Sequence, residues 1–381
     1  MHVIGRGDGR DGDGRTDREY GGDAAGGESS GGPVAPRSGP AAPVGEPVAP
    51  LGRFLARDGS LGSHVGVDVD RPHAALVVGK RGSGKTHTLA VLAEGVDAAD
   101  GVAPVVIDPM GALSGLADAD GTVRRQPRVR PDAIPASAWP DLLGLDPAGP
   151  AGSLVWRAIA ESDRSTPTAA IDRVADADAT RAARRAAETH LALAAEWGVF
   201  DPEGLVPADL VAGGPTVLDC SALAPAAADA VCAAVARGLY EARVTDGIRR
   251  LPWLFVDEAH AFFDGVAGAA LRTLLTRGRA PGVSLVCATQ RPAALPSAAV
   301  SQADLLIAHR LHAGDDVDAL AAARPGSIGS DLADRLPEGV GEALVVDDGA
   351  ATATTVRVRE RRTPDGGASP RASRIRADRG S

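Results

Sequence analysis

The stretch Ala74 to Leu92, AALVVGKRGSGKTHTLAVL, limits what this chain can fold into more than any other. Ala74 to Val78 is a short apolar run with the character of a buried strand. The loop Gly79-Lys80-Arg81-Gly82-Ser83-Gly84 follows, then Lys85-Thr86-His87 and a segment with Leu89 and Leu92 at helical spacing. Strand, glycine turn and helix in that order fit G-x-x-x-x-G-K-[ST], anchored by Gly79 and Gly84. Glycines let successive backbone N–H groups curl inward around phosphate oxygens. The helix N-terminus adds its own free N–H groups and partial positive charge. Lys85 is placed to reach β- and γ-phosphates, and Thr86 to offer a hydroxyl to Mg²⁺. A glycine turn with no ligand is the plainer reading, and the flanking strand and helix weigh against it. So does the lysine usage: Lys80 and Lys85 are the only two lysines in the chain.

Composition sets the outer bounds. The 381 residues, 44% hydrophobic, suffice for one large domain or a domain with an insert. No apolar run approaches the ~18–20 residues that span a bilayer. The first residues lack the apolar core of a signal peptide, so a cytoplasmic location is expected. Cys220, Cys232 and Cys287 are far apart in apolar contexts and read as buried thiols. Scarce lysine with abundant Ala, Gly, Arg and Asp points to a high-GC genome. The net charge of −10 also fits a salt-rich cytosol, with an ordinary high-GC bacterium as the competing source. An acidic protein is a poor first candidate for nucleic acid. In molar salt the screening length falls to about 3 Å, and net charge then says little about local contacts.

Along the chain, residues 1–48 are rich in Gly, Pro, Asp and Arg and read as a disordered tail. Residues 51–73 read as a lead-in hairpin or loop at the nucleotide pocket. Further short strands are expected at Val102–Ile107, Thr216–Asp219, Leu251–Val256, Val283–Ala288 and Asp304–Ala308. Glu342–Val346 and Thr354–Arg359 form a last pair. Residues 121–150 read as an irregular connection, and 151–212 as a small helical insert with one helix over Asp172–Glu188. Trp197 and Phe200 read as core anchors, and Ala224–Val244 as an amphipathic helix. The tail 361–381 reads as flexible and basic. Strands alternating with helices predict an α/β domain over 49–360, its mainly parallel sheet covered on both faces. Functional residues then belong at the C-terminal ends of strands.

Three such ends carry chemistry. Asp108 closes one strand, either facing the pocket or capping a turn. Asp257-Glu258 closes another, where an Asp can hold Mg²⁺ and an adjacent Glu can polarise a water. Gln290 closes a third and can report on a γ-phosphate. Arg277, Arg279, Arg291 and Arg310 are candidates for stabilising transferred charge, from the same subunit or from a neighbour in a ring. The run Asp257 to His260 also suggests a DEAH-box helicase, but too little chain follows it for a second domain.

The segments GKRGSGKTHTL, VVIDPMGAL, LFVDEAHAFF, TRGRAPGVSLVCATQRPAALP and SQADLLIAHRL, in that order, resemble the HerA/FtsK superfamily of P-loop ATPases. The resemblance runs over roughly residues 50–360 and is nearest the HerA-type archaeal helicase and DNA translocase branch. It implies a RecA-like core, a homohexameric ring, and ATP hydrolysis with Mg²⁺ coupled to movement of double-stranded DNA. By this resemblance the loop Gly79 to His87 binds nucleotide, and Thr86 and Asp257 hold the metal. Glu258 is the catalytic base, Gln290 the sensor and Arg279 the trans arginine. Relatives of that branch carry an N-terminal β-barrel that assembles the ring and docks a nuclease. Here a low-complexity stretch stands in its place, which leaves ring assembly and a nuclease or other protein partner open. Relatives of the secretion and conjugation type imply the alternative, an assembly or switch ATPase acting on protein.

Overall fold

The computed structural model describes residues 1–6, 47–118, 120–162, 166–311, 314–323 and 332–365. Twelve strands among them form one sheet. They are β1 (His2–Ile4), β2 (Val48–Leu55), β3 (Leu61–Asp68), β4 (Ala74–Val78), β5 (Val102–Asp108), β6 (Thr122–Arg124), β7 (Thr216–Asp219), β8 (Leu251–Val256), β9 (Ser284–Thr289), β10 (Leu305–Ala308), β11 (Glu342–Asp347) and β12 (Thr352–Val358). The spatial order is β1-β3-β2-β12-β11-β10-β4-β9-β8-β5-β7-β6. From β10 to β6 every pairing is parallel. From β10 through β11, β12 and β2 to β3 the pairings are antiparallel.

Side chains alternate across a strand, so each central strand feeds two apolar layers. Leu76, Val78, Ile107, Leu254, Val256 and Leu285 point to one face, and Val77, Val106, Phe255 and Val286 to the other. The second face is covered by α1 (Lys85–Asp97) through Leu89, Val91, Leu92 and Val96. The first is covered by the helices after β6: α2 (Trp139–Leu142), α3 (Pro150–Ala160), α4 (Pro167–Ala175), α5 (Arg181–Glu196) and α6 (Pro207–Val211). The long α7 (Pro225–Val244), α8 (His260–Phe263) and α9 (Ala267–Arg277) complete that face. Three short helices follow, α10 (Ser297–Gln302), α11 (Asp315–Ala323) and α12 (Leu332–Arg335). No described helix is long and apolar enough to cross a membrane.

The mixed α/β architecture is the one the sequence predicts, with informative departures. The helix expected over Asp172–Glu188 is two helices. Thr180 accepts the Ala183 N–H at 3.2 Å and restarts the chain as α5, as Thr166 starts α4 through Ala169. β6, inside the stretch read as irregular, is three residues, two of them exposed, whose order comes from pairing with β7. The hairpin β2–β3 packs on α1, where a Cβ at Gly95 would fall 2.5 Å from Ala49, and so it braces the helix. Both ends also depart from the tails expected there. His2–Ile4 pairs in parallel with β3, and Gly5 donates to Asp347 Oδ2 at 2.6 Å. At the other end Thr363 is tied to Glu94. The remainder of both expected tails, 7–46 and 366–381, lies outside the described residues. Trp139 and Phe200 pack with rings tilted by 40° and centroids 4.7 Å apart, and Trp197 packs on the same ring. All three cysteines are buried, and burial pushes the Cys287 thiol up to about 12.

Candidate phosphate-binding site

The glycine loop joins the C-terminal end of β4, in the middle of the sheet, to the N-terminus of α1. Gly82 and Gly84 have φ of +77° and +119°, a region open to glycine and costly for other residues. A Cβ on Gly79 would fall 2.5 Å from Ser83 Oγ and 2.7 Å from His309 Cβ, so that position also demands glycine. The loop is pinned from both sides. Gly79 donates to the Thr289 carbonyl on β9 and Lys80 to the Arg310 carbonyl after β10.

Polar side chains converge on this loop. Lys85 is buried and its Nζ lies 3.4 Å from the Lys80 carbonyl, folded back over its own loop. Burial lowers its pKa, while Glu258 and Asp257 oppose the shift. Thr86 Oγ1 donates to Asp257 Oδ2 at 3.1 Å. Burial and the Glu258 charge push Asp257 up to about 6. Glu258 follows it in a left-handed conformation, φ +48°, a strain worth roughly 1–2 kcal/mol for a non-glycine residue. Burial raises its pKa, against the lowering influence of Lys85 and Arg81. Ser83 Oγ, Glu258 Oε2 and Arg310 Nε are buried with no hydrogen-bond partner. A donor hydroxyl, a carboxylate oxygen and a guanidinium nitrogen without partners around one glycine loop suit a polyanion with its cation. No resident metal cluster of three or more His, Cys, Asp or Glu occurs among the described residues.

Gln290 stands directly after β9, and β9 pairs with both β4 and β8, so its end lies between the end of β4, where the loop begins, and the end of β8, which leads to Glu258. Asp108 is a turn residue. Its carboxylate is fully buried, accepts the N–H groups of Met110 and Leu113, and is raised in pKa by burial. Arg279 is not in this site. It sits before β9, at the opposite end of the sheet, paired with Asp304 at 2.8 Å. Asp304 also receives the His73 ring at 2.8 Å and the Ala74 N–H. Of the four arginine candidates, Arg291 and Arg310 follow the two strands that flank β4, at the loop end of the sheet.

Two histidines join the site, His260, which the sequence shows only as the end of the Asp257-to-His260 run, and His309, which no pattern singles out. His260 opens α8 with Nδ1 3.1 Å from Thr289 Oγ1 and 3.5 Å from Glu258 Oε2. His309 lies under the loop, its Nδ1 donating to the Glu342 carbonyl and its Nε2 accepting from Thr88 Oγ1. The signal for both was position alone, a histidine just past a strand end. Burial lowers the His309 pKa to about 4. The unfolded chain therefore takes up a proton near pH 6.5 that the folded chain refuses until about pH 4. Stability from this residue is complete above pH 6.5 and lost as pH falls toward 4, by about 3 kcal/mol. Urea unfolding at pH 7 and pH 4.5 should show a smaller acid loss in His309→Asn, which keeps the bond to Glu342. An equal acid loss in both proteins would remove His309 from the account.

No family model matches the chain, and no curated protein is similar to it. Solved structures are similar in fold. The plasmid coupling protein TrwB in complex with ADP and Mg²⁺ aligns with a TM-score of 0.61 at 16% identity, over 84% of this chain and 97% of that one. VirB4 of Thermoanaerobacter pseudethanolicus aligns with a TM-score of 0.57 at 18% identity, over 81% of this chain and 96% of that one. At these identities the likeness is one of fold, a RecA-like α/β core.

Proposed function

We propose that this chain is an ATP-binding and ATP-hydrolysing ring motor that moves double-stranded DNA. The observation that carries the reading is the convergence at one glycine loop of Lys85, the Thr86–Asp257 pair and the Glu258 carboxylate, whose Oε2 is buried without a hydrogen bond. In this reading the N–H groups of Gly79 to Thr86 and the Lys85 ammonium hold the phosphates, and His87 closes the loop segment. Thr86 Oγ1 and Asp257 would hold Mg²⁺, which would supply charge neutralisation at the phosphates. Glu258 accepts the proton of the attacking water, and Gln290 orients that water or senses the phosphate. The fold likeness to TrwB, a structure that contains ADP and Mg²⁺, supports the same choice of ligand.

Arg279 suits a role in trans. A ring needs head-to-tail contacts, in which one end of each subunit meets the other end of the next. A residue at the base of the sheet is then well placed to complete a neighbour's site, and a homohexamer is the ring we propose. The alternative, an ATPase that switches or assembles protein partners, is favoured by the net charge of −10.

Steady-state ATP hydrolysis, with and without long duplex DNA and in low and high salt, tests the reading. Turnover should rise several-fold with DNA. Turnover indifferent to DNA in every salt would transfer the assignment to protein partners. Mixing Arg279→Ala with Glu258→Gln subunits should restore part of the activity that each lacks alone, because one supplies the base and the other the arginine. Mixtures as inactive as their components would rule Arg279 out.

A further inference from the structure

We propose that His260 is a positioning residue for the Glu258 carboxylate, its Nδ1–H shared between Glu258 and Thr289. The inference rests on the reading of Glu258 as the base. Three observations carry it. Glu258 Oε2 is shut off from solvent and accepts no hydrogen bond, yet it lies 3.5 Å from His260 Nδ1. The same nitrogen lies 3.1 Å from Thr289 Oγ1. Thr289 is the last residue of β9 and immediately precedes Gln290, so His260 links the base to the strand that carries the sensor.

Of the two neighbours of Nδ1, the carboxylate is the one that demands a donor. A buried carboxylate oxygen only accepts, so a bare Nδ1 lone pair facing it would be repulsive. With Nδ1 protonated, one N–H faces two acceptors. Thr289 Oγ1 already receives the Arg291 N–H at 3.0 Å and keeps one lone pair for Nδ1–H. The backbone holds this geometry: Ala259 donates to the Ala288 carbonyl at 2.8 Å, locking the turn after β8 to the end of β9. The shorter of the two contacts is to Thr289. A small shift of the β9 end toward a phosphate would release Nδ1–H to Glu258 and aim the carboxylate.

The test compares kcat, the Kd for a fluorescent ATP analogue, and the thermal midpoint in wild type, His260→Asn, His260→Gln and His260→Ala, with Glu258→Gln in the same series. An asparagine amide nitrogen takes the place of Nδ1, and a glutamine amide that of Nε2. Asn should stay within about threefold of wild-type kcat, while Gln and Ala fall roughly tenfold to a hundredfold. Kd and thermal midpoint should not move, and His260→Ala should change nothing further in the Glu258→Gln background. Gln equal to Asn, or a parallel loss of turnover, binding and thermal stability, would overturn the inference. His260→Ala as active as wild type beside an inactive Glu258→Gln would overturn the inference alone. An active Glu258→Gln would overturn it together with the reading of the base.

Discussion

Glu258→Gln should lower ATP turnover about a thousandfold and leave Mg²⁺-ATP binding within about threefold of wild type. The substitution keeps the shape of the side chain and its left-handed backbone. It removes only the capacity to accept a proton. Burial already raises the pKa of this carboxyl, which makes it a stronger base than an exposed glutamate would be. Asp257, one residue earlier, keeps its bond from Thr86 and with it the means to hold the metal. Binding and turnover therefore separate at adjacent residues. Steady-state turnover and an equilibrium titration, run on one preparation, check both halves. Turnover within tenfold of wild type would exclude Glu258 as the base.

The second large effect is on stability, and it comes from the far end of α1. Glu94 is buried and its Oε1 accepts three bonds, from the Arg362 and Thr363 N–H groups and from Thr363 Oγ1, at 2.8–2.9 Å. Its Oε2 accepts Arg359 Nη1 at 2.7 Å. Arg359 also donates to the carbonyls of Pro50 and Val91, and its own carbonyl receives His87 Nε2. One carboxylate and one guanidinium thus join α1, β2 and the chain after β12. Glu94→Ala would leave a largely buried guanidinium and two backbone N–H groups without their acceptor, at a cost of about 3–5 kcal/mol. Urea unfolding should show that loss, and Glu94→Ala with Arg359→Ala should cost less than the sum of the two. Burial would raise the Glu94 pKa, but the Thr363 and Arg359 bonds more than offset it and hold it below the ordinary carboxylate value. This contribution is therefore present above about pH 4.5 and lost as pH falls through the folded value. A loss under about 1 kcal/mol would show that the strap adds little.

The sequence made the central strands and the phosphate loop legible because both are local signals. Five apolar residues before a glycine turn specify β4 without help from the rest of the chain. Long-range order was not legible. His2–Ile4 becomes a strand only because β3 offers an edge, and Thr363 is ordered only because Glu94 lies beneath it. Thr180 splits a run of helix-forming residues by capping, a choice that composition does not record. Within the site, Lys85, Thr86 and Asp257 follow from spacing and strand ends, and the fold brings them together. His260 and His309 were not legible in that way. Their roles depend on which carbonyl, hydroxyl or carboxylate the fold sets opposite each ring.

The most direct test of the central claim is an equilibrium titration of ATP onto the Glu258→Gln protein, which does not consume its ligand, with and without Mg²⁺. The account predicts one ATP per chain, bound more tightly with Mg²⁺, and loss of most of that affinity when Lys85→Ala is added. Absence of binding, or binding indifferent to both Mg²⁺ and Lys85, would contradict the assignment of the glycine loop as a nucleotide site.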